Sequence, residues 1–493
     1  MKKLLYLMLA LVCYQTQAAV PILTIEGGQV QGVNTEIRGV YVYRGIPYAA
    51  PPIKDLRWKA PQPVVPWQGV KLADKFGHPG YQAVHYPGGY TTEWGYGDEA
   101  PYSEDCLYLN VWTKAPGKPD KKLPVALWIH GGGYREGWGS EPEFDGQEWG
   151  KKGVVLVSIN YRLGVFGFLT HPDLSKESPN HVSGNYGILD QIESLKWIQK
   201  NIAQFGGDPS NVTIFGQSAG AGSVKTLCES PLARGLFEKA IIMSGGGMSA
   251  GGGGNSGPGP RPGGPGGPGG MGGMGGGFGP TKMDQAELQT KEVMDWAGLT
   301  SLDKMRAAST ETIYTVGNLY TAVTGKRARV TGAPVIDGYV SMESFDAAAL
   351  DNKLANVPYM IGFTLNDLGM MSQGIGTFCL NRESAGGKAY AYQFARPLPT
   401  DGRPNVLKGA FHSSDLWYVF KSLQHCWRPM TAGDWNLSEV MLTDWSNFAK
   451  YGDPNGKNTG EWTPYTKETP KYMVFKLDAN SKEDSAMGDP LKP

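Results

Sequence analysis

Val212-Thr213-Ile214-Phe215-Gly216-Gln217-Ser218-Ala219-Gly220 runs a β-branched and aromatic stretch straight into a Gly-X-Ser-X-Gly turn, and the residues that follow, Ala219 to Cys228, suit a helix. Strand, tight turn and helix in that order can hold a serine at the apex of a strained bend with its hydroxyl exposed. In a chain with 70 glycines the pentapeptide alone carries little weight; its flanks give it meaning. Gly216 and Gly220 must be small so that strand and helix can approach closely. The helix then aims its N–H groups and positive dipole end at the serine oxygen. Ser218 is therefore the candidate nucleophile.

Outward from this turn, the chain alternates apolar strands with helical patterns. Val125–Ile129, Val154–Ile159, Ala240–Met243 and Tyr359–Ile361 read as strands, as do Gln29–Val33 and Val40–Tyr43 near the start and Lys471–Leu477 near the end. Within Ile188–Phe205, Ile188, Ile192, Leu195, Ile198 and Ile202 recur at helical spacing. Helical patterns resume near Met283, and Leu437–Phe448 is amphipathic. This alternation predicts an α/β fold with a mostly parallel sheet covered by helices on both faces.

A serine hydroxyl is a weak nucleophile at neutral pH and needs a base and donors for the developing oxyanion. Leu127-Trp128-Ile129-His130-Gly131-Gly132-Gly133-Tyr134 places three glycines directly after a buried strand, exposing successive N–H groups. The N–H groups of Gly132, Gly133 and Ala219 form the expected oxyanion hole. His130 reads as a brace for this loop rather than as the base.

The 493 residues are 40% hydrophobic and 19% charged, an ordinary globular composition. Lys+Arg and Asp+Glu are equal at 46 each, so no long-range field draws in nucleic acid or an acidic membrane surface. A compact small-molecule substrate fits better, and nucleic acid is not an expected partner. Met1-Lys2-Lys3, an apolar run from Leu4 to Cys13, and Thr16-Gln17-Ala18 read as a signal peptide (1–18) cleaved after Ala18. Val12 is bulkier than the small residue usual before a lipidated cysteine, so export as a secreted or periplasmic protein is expected over lipoprotein anchoring. No segment is apolar for long enough to be a transmembrane span. The mature chain, 19–493, keeps Cys106, Cys228, Cys379 and Cys426, which permit disulfides without specifying them. With no C-x-x-C pair and no histidine cluster at ligand spacing, neither metal nor cofactor is expected. From about 245 to 280 the composition shifts to Gly, Pro and Met without an every-third-residue glycine register, and reads as a flexible insertion in an otherwise single domain.

Tyr43-Arg44-Gly45-Ile46-Pro47-Tyr48-Ala49, Ser103-Glu104-Asp105-Cys106-Leu107-Tyr108-Leu109-Asn110, the His130–Gly133 loop, Asn160-Tyr161-Arg162 and Phe215–Gly220 occur together and in order. In these motifs the chain resembles the type-B carboxylesterases, which include cholinesterases and bacterial para-nitrobenzyl-type esterases, over nearly its whole mature length. The resemblance implies the α/β-hydrolase fold and a serine carboxylesterase working through an acyl-enzyme. It also implies a triad in the chain order Ser, acid, His. Gly409-Ala410-Phe411-His412-Ser413-Ser414-Asp415-Leu416 resembles the family's histidine motif and makes His412 the base, with His425 as its rival. In Ile361-Gly362-Phe363-Thr364-Leu365-Asn366-Asp367-Leu368-Gly369 the acid position falls on Asp367. The serine corresponding to Ser244 supports that acid from behind.

Three departures stand out. Gln217 precedes the nucleophile where many relatives have Glu. Gly80 sits where relatives carry the disulfide partner of Cys106. The glycine-rich insertion begins directly after Ser244. A catalytically inactive cholinesterase-like adhesion or binding protein is a competing reading, against which Ser218, Asp367 and His412 stand together. A lipase or a feruloyl or other plant-ester hydrolase would keep the triad and differ in its pocket loops. Tyr134, Trp138 and Trp417 are candidate pocket aromatics.

Overall fold

The computed structural model describes residues 19–85, 88–94, 101–248, 282–328, 330, 332, 334–369, 371–456, 461–477 and the strand at 483–487. Residues 1–18, expected to be a leader, and residues 249–281, which hold most of the expected insertion with Met271, Met274 and Phe278, lie outside the described residues.

Among the described residues, eleven strands form one sheet: β1 (Val33–Asn34), β2 (Tyr41–Pro47), β3 (Tyr108–Thr113), β4 (Leu123–Ile129), β5 (Val155–Ile159), β6 (Gly207–Gln217), β7 (Lys239–Met243), β8 (Tyr359–Thr364), β9 (Ala389–Phe394), β10 (Met473–Leu477) and β11 (Glu483–Met487). Their spatial order is β11-β10-β9-β8-β7-β6-β4-β5-β3-β2-β1. From β5 through β4, β6, β7, β8 and β9 to β10 every neighbour is parallel, while β11 and the β1–β3 edge are antiparallel. Ile22–Ile25, Gly28–Gln31 and Val70–Leu72 make a separate small sheet.

Side-chain alternation explains why the central strands read as continuous apolar runs. On β4, Val125, Leu127 and Ile129 pack on one face with Ile188, Ile192, Leu195 and Ile198 of the helix Tyr186–Asn201, here α1. Ala126 and Trp128 point the other way, into a cluster with Leu437, Met441, Trp445 and Phe448 of α3 (Ala432–Tyr451). α2 (Ala219–Glu229) follows β6 after a single residue, Ser218.

The connection out of β4 leads to β5 on one side, and that out of β6 leads to β7 on the other. The reversal opens a crevice at the carboxyl ends of β4 and β6, where open α/β sheets bind ligands. The loop Gly131–Gly133 and Ser218 both emerge there.

Candidate active site

Ser218 has φ 58° and ψ −119°, outside the comfortable range for a side chain bearing a Cβ. Its neighbours leave no alternative. A Cβ on Gly220 would lie 2.0 Å from the Ile129 carbonyl oxygen, and one on Gly216 would lie 2.6 Å from the Gly220 backbone. The Ser218 N–H is tied to the Met243 carbonyl on β7 at 2.9 Å, so the bend is fastened to the next strand as well.

The glycine loop crosses the same crevice. Gly132 and Gly133 have φ of 92° and 62°, and the Gly132 carbonyl accepts the N–H groups of Arg135 and Glu136, which curls the loop over the pocket. The N–H groups of Gly132, Gly133 and Ala219 are not taken by any acceptor among the described residues. His130 is buried, bonds the Gly131 carbonyl through Nδ1 at 2.9 Å and stacks on Tyr161 at 4.5 Å. Burial pushes its pKa down to about 4, outweighing the Gly131 bond, as suits a neutral brace.

Asp367 follows β8. Its Oδ1 lies 2.5 Å from His412 Nδ1 and accepts the Leu368 N–H, while Oδ2 accepts the Ser244 hydroxyl at 2.6 Å and the Thr364 N–H at 3.0 Å. Burial opposes ionisation of this carboxyl, yet the bonds and the charge of His412, with Ser244 and Thr364, hold it below the usual carboxylate range. The loops bearing acid and histidine are laced together. Asn366 donates its N–H to the Ala410 carbonyl at 2.9 Å, and its Oδ1 accepts the Ala410 N–H at 3.0 Å.

Ser218, His412 and the Gly131–Gly133 loop line one pocket. Among the described residues, no hydrogen bond joins Ser218 to the His412 ring; Nε2 instead pairs with the Gln217 amide at 3.2 Å. His425 bonds Asp145 and lies outside this pocket. The aromatic walls are Tyr90, Trp94 and Phe144, none of which the sequence singled out. Of the aromatics it did single out, Trp417 is fully buried and donates to Glu93, Tyr134 has its hydroxyl against Gly222, and Trp138 stays outside the lining. Glu136, Glu141 and Glu143 also line the pocket. Burial, then the neighbouring Glu141, raises Glu143 well above the ordinary carboxyl range and favours its protonated form.

Gly245–Met248, assigned to the insertion by composition, are instead packed. Lys225 on α2 directs its ammonium at the carbonyls of Gly245, Gly246 and Gly247 at 3.2, 3.0 and 3.0 Å, and lies 4.6 Å from the Phe345 ring centre. Gly247 and Met248 donate their N–H groups to the Gln373 and Gly374 carbonyls. The glycines there are needed for close approach, so composition misplaces the boundary. Cys106, Cys228, Cys379 and Cys426 are unpaired thiols. Among the described residues no group of His, Cys, Asp and Glu could hold a metal, and no helix is long and apolar enough to cross a membrane.

A carboxylesterase-family model matches residues 19–255 and 370–489. The second stretch starts three residues past Asp367, whose position here rests on the contacts above. A fumonisin B1 esterase of Sphingopyxis macrogoltabida is 47% identical over 220 residues, covering 44% of this chain and 38% of that protein. A para-nitrobenzyl esterase of Bacillus subtilis (strain 168) is 46% identical over 225 residues, covering 45% and 43%. The matched stretches thus span about two fifths of these curated relatives. Among solved structures, a PNB esterase superposes with a TM-score of 0.72 at 26% identity, covering 94% of this chain and 97% of the other. The Geobacillus stearothermophilus carboxylesterase EST55 does so with a TM-score of 0.71 at 28% identity and the same coverage.

Proposed function

The chain belongs to the carboxylesterase family and has its α/β-hydrolase fold, and from that premise we propose that it is a carboxylic ester hydrolase in which Ser218, His412 and Asp367 form the catalytic triad. The observation that carries this reading is the 2.5 Å contact of Asp367 with His412 Nδ1, in the pocket that also holds the strained Ser218. In this mechanism Ser218 Oγ attacks the ester carbonyl and its proton passes to His412 Nε2. Asp367 stabilises the imidazolium and keeps the ring in the tautomer with a free lone pair at Nε2. The N–H groups of Gly132, Gly133 and Ala219 receive the oxyanion, each worth about 3 kcal/mol of barrier. The imidazolium returns the proton to the leaving alcohol, and water then cleaves the acyl-enzyme by the same route. Ser244 holds Asp367 from behind without touching substrate.

The substrates of this reading are small-molecule carboxylic esters, the class that the names of the para-nitrobenzyl and fumonisin B1 esterases indicate. The leader at residues 1–18 supports export, and the remainder is read as one hydrolase domain. Ser218→Ala is expected to lower kcat on a short-chain aryl ester by roughly four to six orders of magnitude. It should also abolish covalent labelling by a fluorophosphonate. A variant that keeps more than a tenth of the wild-type activity, or that is still labelled, refutes the assignment and revives the inactive binding protein as the alternative.

A further inference from the structure

Gln217 lies between the glycine loop and the base. Its Oε1 is beside Gly131, where a Cβ would come within 3.1 Å of it, and its Nε2 is 3.2 Å from His412 Nε2. Both Gln217 and His412 are buried, at 3% and 4% exposure. With Nδ1 donating to Asp367, the neutral imidazole carries its lone pair on Nε2, and the Gln217 N–H occupies it. A carboxamide can serve either protonation state of the ring. Its NH2 donates to the lone pair, and after a turn about its last torsion its C=O accepts from an imidazolium N–H. A carboxylate at the same place can only accept, and so favours the imidazolium, which is useless as a base.

We propose that Gln217 is a positioning residue that holds the base nitrogen of His412 in the free enzyme and gives way to the Ser218 hydroxyl when substrate binds. Being a neutral donor, it keeps the base competent at lower pH than a carboxylate there would allow. This rests on the triad reading above. Gln217 itself neither gains nor loses a proton; the proton that moves goes from Ser218 Oγ to His412 Nε2.

Other charged and titratable groups also face His412. Asp367 stands on the Nδ1 side, and Asp415 follows three residues on. Tyr90 donates its hydroxyl to the His412 carbonyl, and Glu136, Glu141, Glu143 and His85 share the pocket. All of these are held constant when position 217 alone is changed. The test is the pH profile of kcat/KM, whose acid limb reports the free enzyme, for wild type, Gln217→Glu and Gln217→Met, with thermal melts to establish folding. The acid limb is expected to move to higher pH by about one unit or more in Gln217→Glu and by about half a unit in Gln217→Met, which removes the donor without adding charge. Folded variants that still react with fluorophosphonate and keep the wild-type limb overturn the proposal. Activity surviving in Ser218→Ala would sink the triad reading instead, so the two failures are distinct.

Discussion

The bend at Ser218 is built from one continuous stretch, from Val212 to Gly222, leaning on the carbonyl of Ile129. The orientation of His412 is assembled from Ser244, Thr364, Asp367, Leu368 and Asn366, which meet only in the folded sheet. In the first region steric exclusion decides the geometry, and an atom too many has nowhere to go. In the second, several hydrogen bonds converge on one carboxylate, and the loss of one leaves the others. Damage to the elbow should therefore be nearly all-or-none, and damage to the acid side graded.

The broadest effect, on fold and activity together, is expected from Gly220→Ala. Its new Cβ would stand 2.0 Å from the Ile129 oxygen, so strand β4 and helix α2 must separate. Most of the folded protein should be lost, and any that remains should turn over esters more than about a hundredfold more slowly, because a displacement of 1 Å is costly at a reacting centre. Near-normal melting and turnover would mean that the elbow is softer than its contacts indicate. On the acid side, Asp367→Asn should lower kcat by about three to four orders of magnitude with the fold intact, since an amide cannot stabilise the imidazolium. Ser244→Ala should cost only about tenfold, because Asp367 keeps the N–H groups of Thr364 and Leu368. Steady-state kinetics on both variants sharpens the contrast; equal losses would mean that Ser244 alone sets the acid.

The smallest effect is one of stability. Asp415 is fully buried, with Oδ2 accepting the Tyr392 hydroxyl, and burial together with the charge of Asp367 raises its pKa to about 7. An unfolded Asp titrates near ~3.9, so between these values the folded state holds the extra proton. The stability this provides is full below the unfolded pKa and is lost as pH rises toward 7. Asp415→Asn can still accept from Tyr392 and carries no such slope. Its melting temperature relative to wild type should therefore climb by about 2 °C between pH 5 and pH 8. A constant difference across that range would show that Asp415 is ionised throughout.

The same contrast explains what could be read from the sequence. The elbow and the glycine loop are each a strand followed by a turn whose residue types are dictated locally, so both were legible. Family resemblance, not local pattern, picked out Asp367 and His412, each a single residue in a loop. The parallel core was visible in its apolar runs. β9, at Ala389–Phe394, is not legible because its Tyr-Ala-Tyr-Gln-Phe run lacks β-branched residues although it is mostly buried. The pocket walls escaped for another reason. Tyr90, Trp94 and Glu143 face Ser218 only through tertiary packing, and nothing local separates them from Trp138 or Trp417. Gln217 stands out in the sequence as a departure from its relatives, but its bond to His412 spans 195 residues.

The Lys225 clasp acts as a strain relief does on a cable. Ser244 bears on the catalytic acid, and the chain leaving it is gripped at three successive carbonyls and then docked on Gln373 and Gly374 before residue 249. A pull or twist applied further along must break that grip before it reaches the hydroxyl on Asp367. A long foreign stretch can therefore be spliced in one step from the catalytic machinery, and its length and composition can drift without retuning the acid.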